Sequence, residues 1–207
     1  MVIVSFPRSG QNLLESIFRK LSPALNIDHS YCEFYSCCKQ IPCKAGCKIS
    51  KNHDFDLKLK ILDEMKYISI YRRDPILQLE AYYRFSIKFE KSDYNYDSLL
   101  LFIKNNIDYY QSFLNKWIYN DNNNILKIEY YDFVSDPNFY VKLVFDHFYK
   151  GVDLSSIDNL SSIEFDVFNP MFNSSDDVYL TNNIKLLNNL SYEIYNQLKT
   201  DLGYLIK

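Results

Sequence analysis

A chain of 207 residues with 47% hydrophobic and 17% aromatic side chains has enough apolar material for a core of its own, which excludes the disordered and fibrous classes. Its net charge of -3 and pI near 5.6 exclude a general electrostatic hold on nucleic acid, so any anion site must be local. No apolar run reaches the length of a membrane span, and the opening residues lack both the charged start and the extended apolar core of a signal peptide; the expected compartment is the cytoplasm.

Residues 2–6 (VIVSF) read as a short buried strand, and Leu13, Leu14, Ile17, Phe18 and Leu21 recur behind it at helical spacing. That is a βα unit. A polar stretch over about 28–48 follows and holds all five cysteines, the pattern of an insertion or lid; Ile49 after it suits a short strand or an extended loop. Residues 67–72 (YISIYR) form a second strand, and Asp74 with Pro75 supplies an N-cap and a first helical residue for a helix to about 90. Residues 97–118 continue as an amphipathic, aromatic-rich helix. After the turn NDNN comes a third strand, NILKIEY, and then Asp136 and Pro137 repeat the Asp-Pro helix start. The last helix is SYEIYNQLKTDLG, with Gly203 as its stop. Strands separated by helices predict a single α/β domain over 1–207, a three-layer sandwich around a mostly parallel sheet, with ligands at the carboxyl ends of the strands.

The first of those ends is FPRSGQN, where the strand stops and the helix begins. A glycine in such a turn lets backbone N–H groups converge, and the start of a helix favours an anion, most often phosphate. Arg8 and Ser9 would add side-chain donors, so the segment reads as a strand-loop-helix phosphate-binding motif. The plain alternative is a tight turn with a solvated Arg8. Neither G-x-x-x-x-G-K-[ST] nor G-x-G-x-x-G occurs, which disfavours the ordinary ATP and dinucleotide loops.

PRSGQN at 7–12 resembles the Pro-Lys/Arg-Ser-Gly-Thr/Ser-Thr loop of the 3'-phosphoadenylyl-sulfate-dependent sulfotransferases, and YRRDPILQLEAYYRF at 71–85 resembles their second signature. Two further stretches are similar in a looser way: NILKIEYYDFVSDP, and IEFDVFNPM at 163–171. The resemblance implies that Arg8, Ser9, Gly10, Gln11 and Asn12 hold the 5'-phosphosulfate, with Gln11 and Asn12 standing where hydroxyl residues are usual. Arg73 would contact the 3'-phosphate, although Ala81 replaces the family's serine. Tyr82 and Tyr83 match its aromatic pair. Tyr130 takes the adenine-side role, Asp132 a structural one, and Phe165 packs on adenine. The family's late Arg-Lys-Gly clamp is missing, and the acidic NSSDDVYLTNN occupies its region. The implied cofactor is 3'-phosphoadenylyl sulfate, leaving as adenosine 3',5'-bisphosphate; the implied partner is a small-molecule or glycan acceptor, with neither nucleic acid nor membrane.

Sulfuryl transfer is an in-line displacement in which positioning and charge stabilisation dominate. Arg8 is the candidate for the charge that develops on the leaving phosphate. The base is His53, whose SKNHDF context resembles the Lys-x-His of the phenol and hydroxysteroid enzymes with Lys51 and His53 matching; Glu33 is its rival, by similarity to glycan sulfotransferases. His147 reads as a helix residue with a structural role, and no motif surrounds His29. The cysteines, C-x₄-C-C-x₄-C-x₃-C, suit a structural zinc with Cys43 and Cys47 as one pair and Cys32, Cys37 or Cys38 as the rest; disulfides and free thiols are the alternatives. Two other functions stay open: a small-molecule kinase with a divergent phosphate loop, and a non-catalytic nucleotide-binding or scaffold protein of the same fold.

Overall fold

Five short segments line up side by side in the computed structural model, which describes residues 1–91, 93–149, 192–203 and 205. They are β1 (Val2–Ser5), β2 (Tyr31–Glu33), β3 (Ile49–Asn52), β4 (Tyr67–Tyr71) and β5 (Ile125–Glu129). All pair in parallel, in the order β2-β3-β1-β4-β5. The helices are α1 (Gln11–Ala24), α2 (Pro75–Glu90), α3 (Tyr96–Trp117), α4 (Tyr130–Ser135), α5 (Pro137–Phe148) and α6 (Tyr192–Leu202). The α/β class expected from the alternation is therefore present, with a sheet that is parallel throughout. Among the described residues no helix is long and apolar enough to cross a membrane.

The described residues divide into two compact units, 1–71 with 114–149, and 72–91 and 93–113 with 192–203 and 205. The first holds the sheet. Every residue of β1 is buried, as a central parallel strand covered on both faces requires. Leu14, Ile17, Phe18 and Leu21 of α1 join Val141, Val144 and Phe145 of α5 in one cluster, with the Phe18 and Phe145 rings 5.2 Å apart. Elsewhere in this unit Trp117, at the end of α3, packs on Tyr67 of β4 at 5.6 Å.

In the second unit, Asp74 caps α2 by accepting from the Ile76 and Leu77 N–H groups at 2.8 and 3.1 Å, with Pro75 as the first helical residue. Asp74 also accepts from the Tyr195 hydroxyl of α6. Tyr83 is buried against Phe102 at 5.4 Å and Tyr94 at 5.6 Å, and Tyr82 lies 5.3 Å from Phe102, so the aromatic pair packs helix on helix.

Two elements depart from the sequence reading. β2 is a three-residue edge strand inside the segment read as an insertion, too short for any alternation to show. Tyr130 does not extend β5 but starts α4. Glu129 turns the chain there by accepting from the Tyr131 and Asp132 N–H groups at 2.7 and 3.0 Å.

The strand order positions the site. β1 sends its crossover to one side, toward β2, while β4 sends its own to the other, toward β5. Ligands of open parallel sheets bind outside the carboxyl ends of the strands where that direction switches. The register brings Asn52 of β3 level with Val4, and Ser5 level with Ile70, so the carboxyl ends of β1, β3 and β4 share one edge.

Candidate functional site

At the end of β1 the backbone reverses in five residues. The Ser9 N–H donates to the Phe6 carbonyl at 3.2 Å, and the two residues flanking Ser9 both take left-handed conformations: Arg8 with φ 69° and Gly10 with φ 96°. A non-glycine residue at positive φ is uncommon, and such strain gathers at binding sites. Arg8 is exposed while Ser9 is buried. Gly10 is the N-cap of α1 and offers no side chain to its first N–H groups, and the first turn carries no acid. A helix start of this kind is suited to an anion.

Gly10 is required for a second reason. A Cβ there would stand 2.5 and 2.7 Å from Cδ2 and Cε2 of Tyr130, so the Tyr130 ring lies directly on the glycine. The residue that follows β5 is thus brought to the loop that follows β1. Contact of this kind was not legible in the sequence, which offered only the resemblance for Tyr130.

The two residues after Gly10 have side-chain partners within the protein. Gln11 is buried; its Nε2 donates to the Ile3 carbonyl at 2.6 Å and to the Asn52 carbonyl at 3.3 Å, and its Oε1 accepts from the Ser5 hydroxyl at 3.0 Å. This corrects the expectation that the Gln11 amide reaches a phosphate: both of its donor bonds tie α1 to β1 and β3. Only its backbone N–H remains at the helix start. Asn12 is exposed, and its Oδ1 accepts from Lys51 Nζ at 2.8 Å.

Lys51 links the loop to one of the base candidates. Its Nζ also donates to Glu33 Oε1 at 3.1 Å, and Glu33 accepts from the Tyr31 hydroxyl at 3.0 Å. His53 follows β3, with Nδ1 2.8 Å from the Ser5 carbonyl oxygen. A carbonyl can only accept, so Nδ1 carries the proton and Nε2 is left with its lone pair. Burial pushes the His53 pKa down to about 4, helped by the charge of Lys51 and opposed by the bond to Ser5 and by Glu33. His53 is therefore neutral at neutral pH. Beside it, Phe55 lies 5.2 Å away ring to ring and Tyr35 lies 5.1 Å from Phe55; both are exposed.

Asp54 is the residue that the sequence did not single out. It is buried at 1% exposure, and its Oδ2 accepts from Lys116 Nζ at 2.6 Å and from Trp117 Nε1 at 2.8 Å, while Oδ1 accepts from the Leu59 N–H at 2.8 Å. This network anchors the chain immediately after His53. Lys116 and Trp117 stand about sixty positions away in sequence, beyond the reach of any local motif.

Of the remaining candidates, Arg73 is exposed in the second unit, directly before the α2 cap. Phe165 and the acidic NSSDDVYLTNN lie outside the described residues. His147 Nε2 is 3.3 Å from the Asn124 carbonyl at the start of β5, in keeping with a structural role, and His29 stacks on Tyr31 with its Nε2 3.6 Å from Glu15. No protein-family model matches the chain, and no curated protein does.

Proposed function

We propose that the chain is a sulfotransferase, moving a sulfuryl group from 3'-phosphoadenylyl sulfate to a hydroxyl of a small molecule or glycan. One observation carries the reading: the strained turn with Arg8 at its crest and the uncapped start of α1 stands on the same strand end as a neutral His53 whose Nε2 can accept a proton. The cofactor would supply the activated sulfuryl group and a phosphate leaving group. Backbone N–H groups from Gly10 to Asn12 hold the 5'-phosphosulfate, with Ser9 joining them as in the family pattern, and Arg8 neutralises charge developing on the bridging oxygen. The acceptor oxygen bonds to sulfur as the bond from sulfur to that bridging oxygen breaks, and the acceptor's proton passes to His53 Nε2. Tyr130 flanks the nucleotide, while the roles of Arg73 at the 3'-phosphate and Phe165 at adenine follow the family pattern. Exposed Tyr35 and Phe55 offer flat apolar faces to the acceptor beside His53.

Ligand-dependent melting tests this. Adenosine 3',5'-bisphosphate should raise the melting temperature by mass action, with ATP and AMP much weaker, and Arg73→Ala should narrow the gap between the bisphosphate and AMP. A response to ATP with magnesium and none to the bisphosphate would point to a kinase. Indifference to all three would point to a scaffold.

A further inference from the structure

The fifteen residues from 34 to 48 contain one short 3₁₀ turn, Phe34–Ser36, and among them only Cys43 is buried. Besides a few hydrogen bonds, among them Tyr35 to Asn52 and Lys48 to Ser30, so little apolar burial leaves room for a cross-link or a metal to fasten the segment. Four thiols converge there. The Sγ atoms of Cys32, Cys37, Cys38 and Cys43 all lie within 4.8 Å of one another, although Cys32 and Cys43 are buried, Cys38 is intermediate and Cys37 is exposed. Packing alone explains the buried pair but gives an exposed thiol no reason to join it.

The separations have the scale of a metal cage. Cys38 and Cys43 sulfurs are 3.7 Å apart, and those of Cys37 and Cys43 are 4.0 Å apart. A tetrahedral zinc with bonds of about 2.3 Å sets its sulfurs about 3.8 Å apart, whereas a disulfide needs about 2.05 Å. All five cysteines are free. A backbone donor also aims at a sulfur: the Lys44 N–H reaches Cys38 Sγ at 3.3 Å. Thiolate ligands are supported in this way by N–H groups around them. An iron–sulfur cluster would spread its cysteines further apart than these, so the cage fits one ion.

We propose that Cys32, Cys37, Cys38 and Cys43 hold a single structural zinc ion, closed and tetrahedral, with Cys47 outside the ligand set. This replaces the Cys43 and Cys47 pairing suggested by spacing. The ion would staple the end of β2 to the segment that follows it and hold Glu33 and Tyr35 on the short arc between two ligands. It stands whether or not the chain transfers sulfuryl groups.

The full chain, purified under reducing conditions without chelator, should contain about one equivalent of zinc. Brief alkylation of that protein should modify Cys47 alone, and chelation should open all five thiols to the reagent. Cys47→Ser should keep its zinc and Cys38→Ser should lose it; because the latter can also fail to fold, the alkylation pattern of the unaltered chain decides. The proposal is overturned by protein that neither contains zinc nor takes up added zinc or cobalt. It is equally overturned by protection of Cys47 in place of one of the four, by iron in the site, or by an intact mass lowered by the hydrogens of a disulfide.

Discussion

The turn after β1 and the segment after β2 both leave the carboxyl edge of the same sheet, yet they are held in different ways. The first is shaped by its backbone, with one N–H to carbonyl bond, two left-handed residues and a glycine under the Tyr130 ring. The second has almost no regular structure and gathers four sulfurs instead. A turn made of backbone geometry is set by the strand that feeds it, so it is present without any ligand. A segment gathered by thiols depends on what the thiols hold. β3 lies between β1 and β2 in the sheet, and its last residues connect the two: Lys51 to Asn12 and Glu33, and His53 to Ser5.

The largest expected effect falls on that bridge. His53→Ala should lower sulfuryl transfer by roughly 10²- to 10⁴-fold while bisphosphate affinity stays near its original value, and Glu33→Ala should cost much less. With a pKa near 4, the rate should fall only as the pH drops through about 4, and not through 6.5. Stability follows the same group. The unfolded chain takes up the proton before the folded one, so the contribution present above 6.5 is lost as the pH falls toward 4, and His53→Gln should remove that dependence. Reversal of the Glu33 and His53 effects would move the base to the cysteine side of the bridge.

Next in size, Asp54→Ala removes the buried carboxylate from Lys116, which keeps the Leu57 and Leu59 carbonyls, and leaves Trp117 Nε1 without its acceptor. Loss of one partner of such a pair costs roughly 3–5 kcal/mol, measurable by denaturant unfolding. Smaller is Gly10→Ala, at about 1–3 kcal/mol for a side chain at positive φ, with the Tyr130 ring displaced as well. Adding Tyr130→Ala should return only the part due to the clash. Additive losses in the double variant would show that the ring does not rest on the glycine. The smallest effect is expected from chelation. It should raise hydrogen exchange over 31–48 and leave residues 6–12 unchanged, and equal loosening of both would erase the distinction between the two regions.

Much of this was legible in residue types. β1, β4 and β5 declare themselves by short runs of β-formers, and α2 and α5 by Asp-Pro starts that the structure reproduces as caps. The first turn was legible too, since a proline and a glycine between a strand and a helix mark one, while the sequence left a ligand for Arg8 open beside a plain tight turn. What escaped is what depends on distant partners. β2 exists because β3 pairs with it, and its three residues alone say nothing. Tyr130 has strand-forming character, and only the Glu129 cap turns it into a helix. Gln11 reads as a donor for a ligand until Ile3 and Asn52 are seen to take both of its bonds. Cysteine spacing suggested a metal but not the ligands, since Cys37 and Cys38 are neighbours in sequence and both face Cys43.

Calorimetric titration of adenosine 3',5'-bisphosphate into the unaltered chain and into Gly10→Ala is the most direct test that the turn after β1 is a phosphate-binding site of a sulfotransferase. Saturable binding to the unaltered chain is predicted, tighter than that of ATP with magnesium and sharply weakened by the substitution. No binding, tighter binding of ATP with magnesium, or equal affinity in a folded Gly10→Ala protein would contradict it.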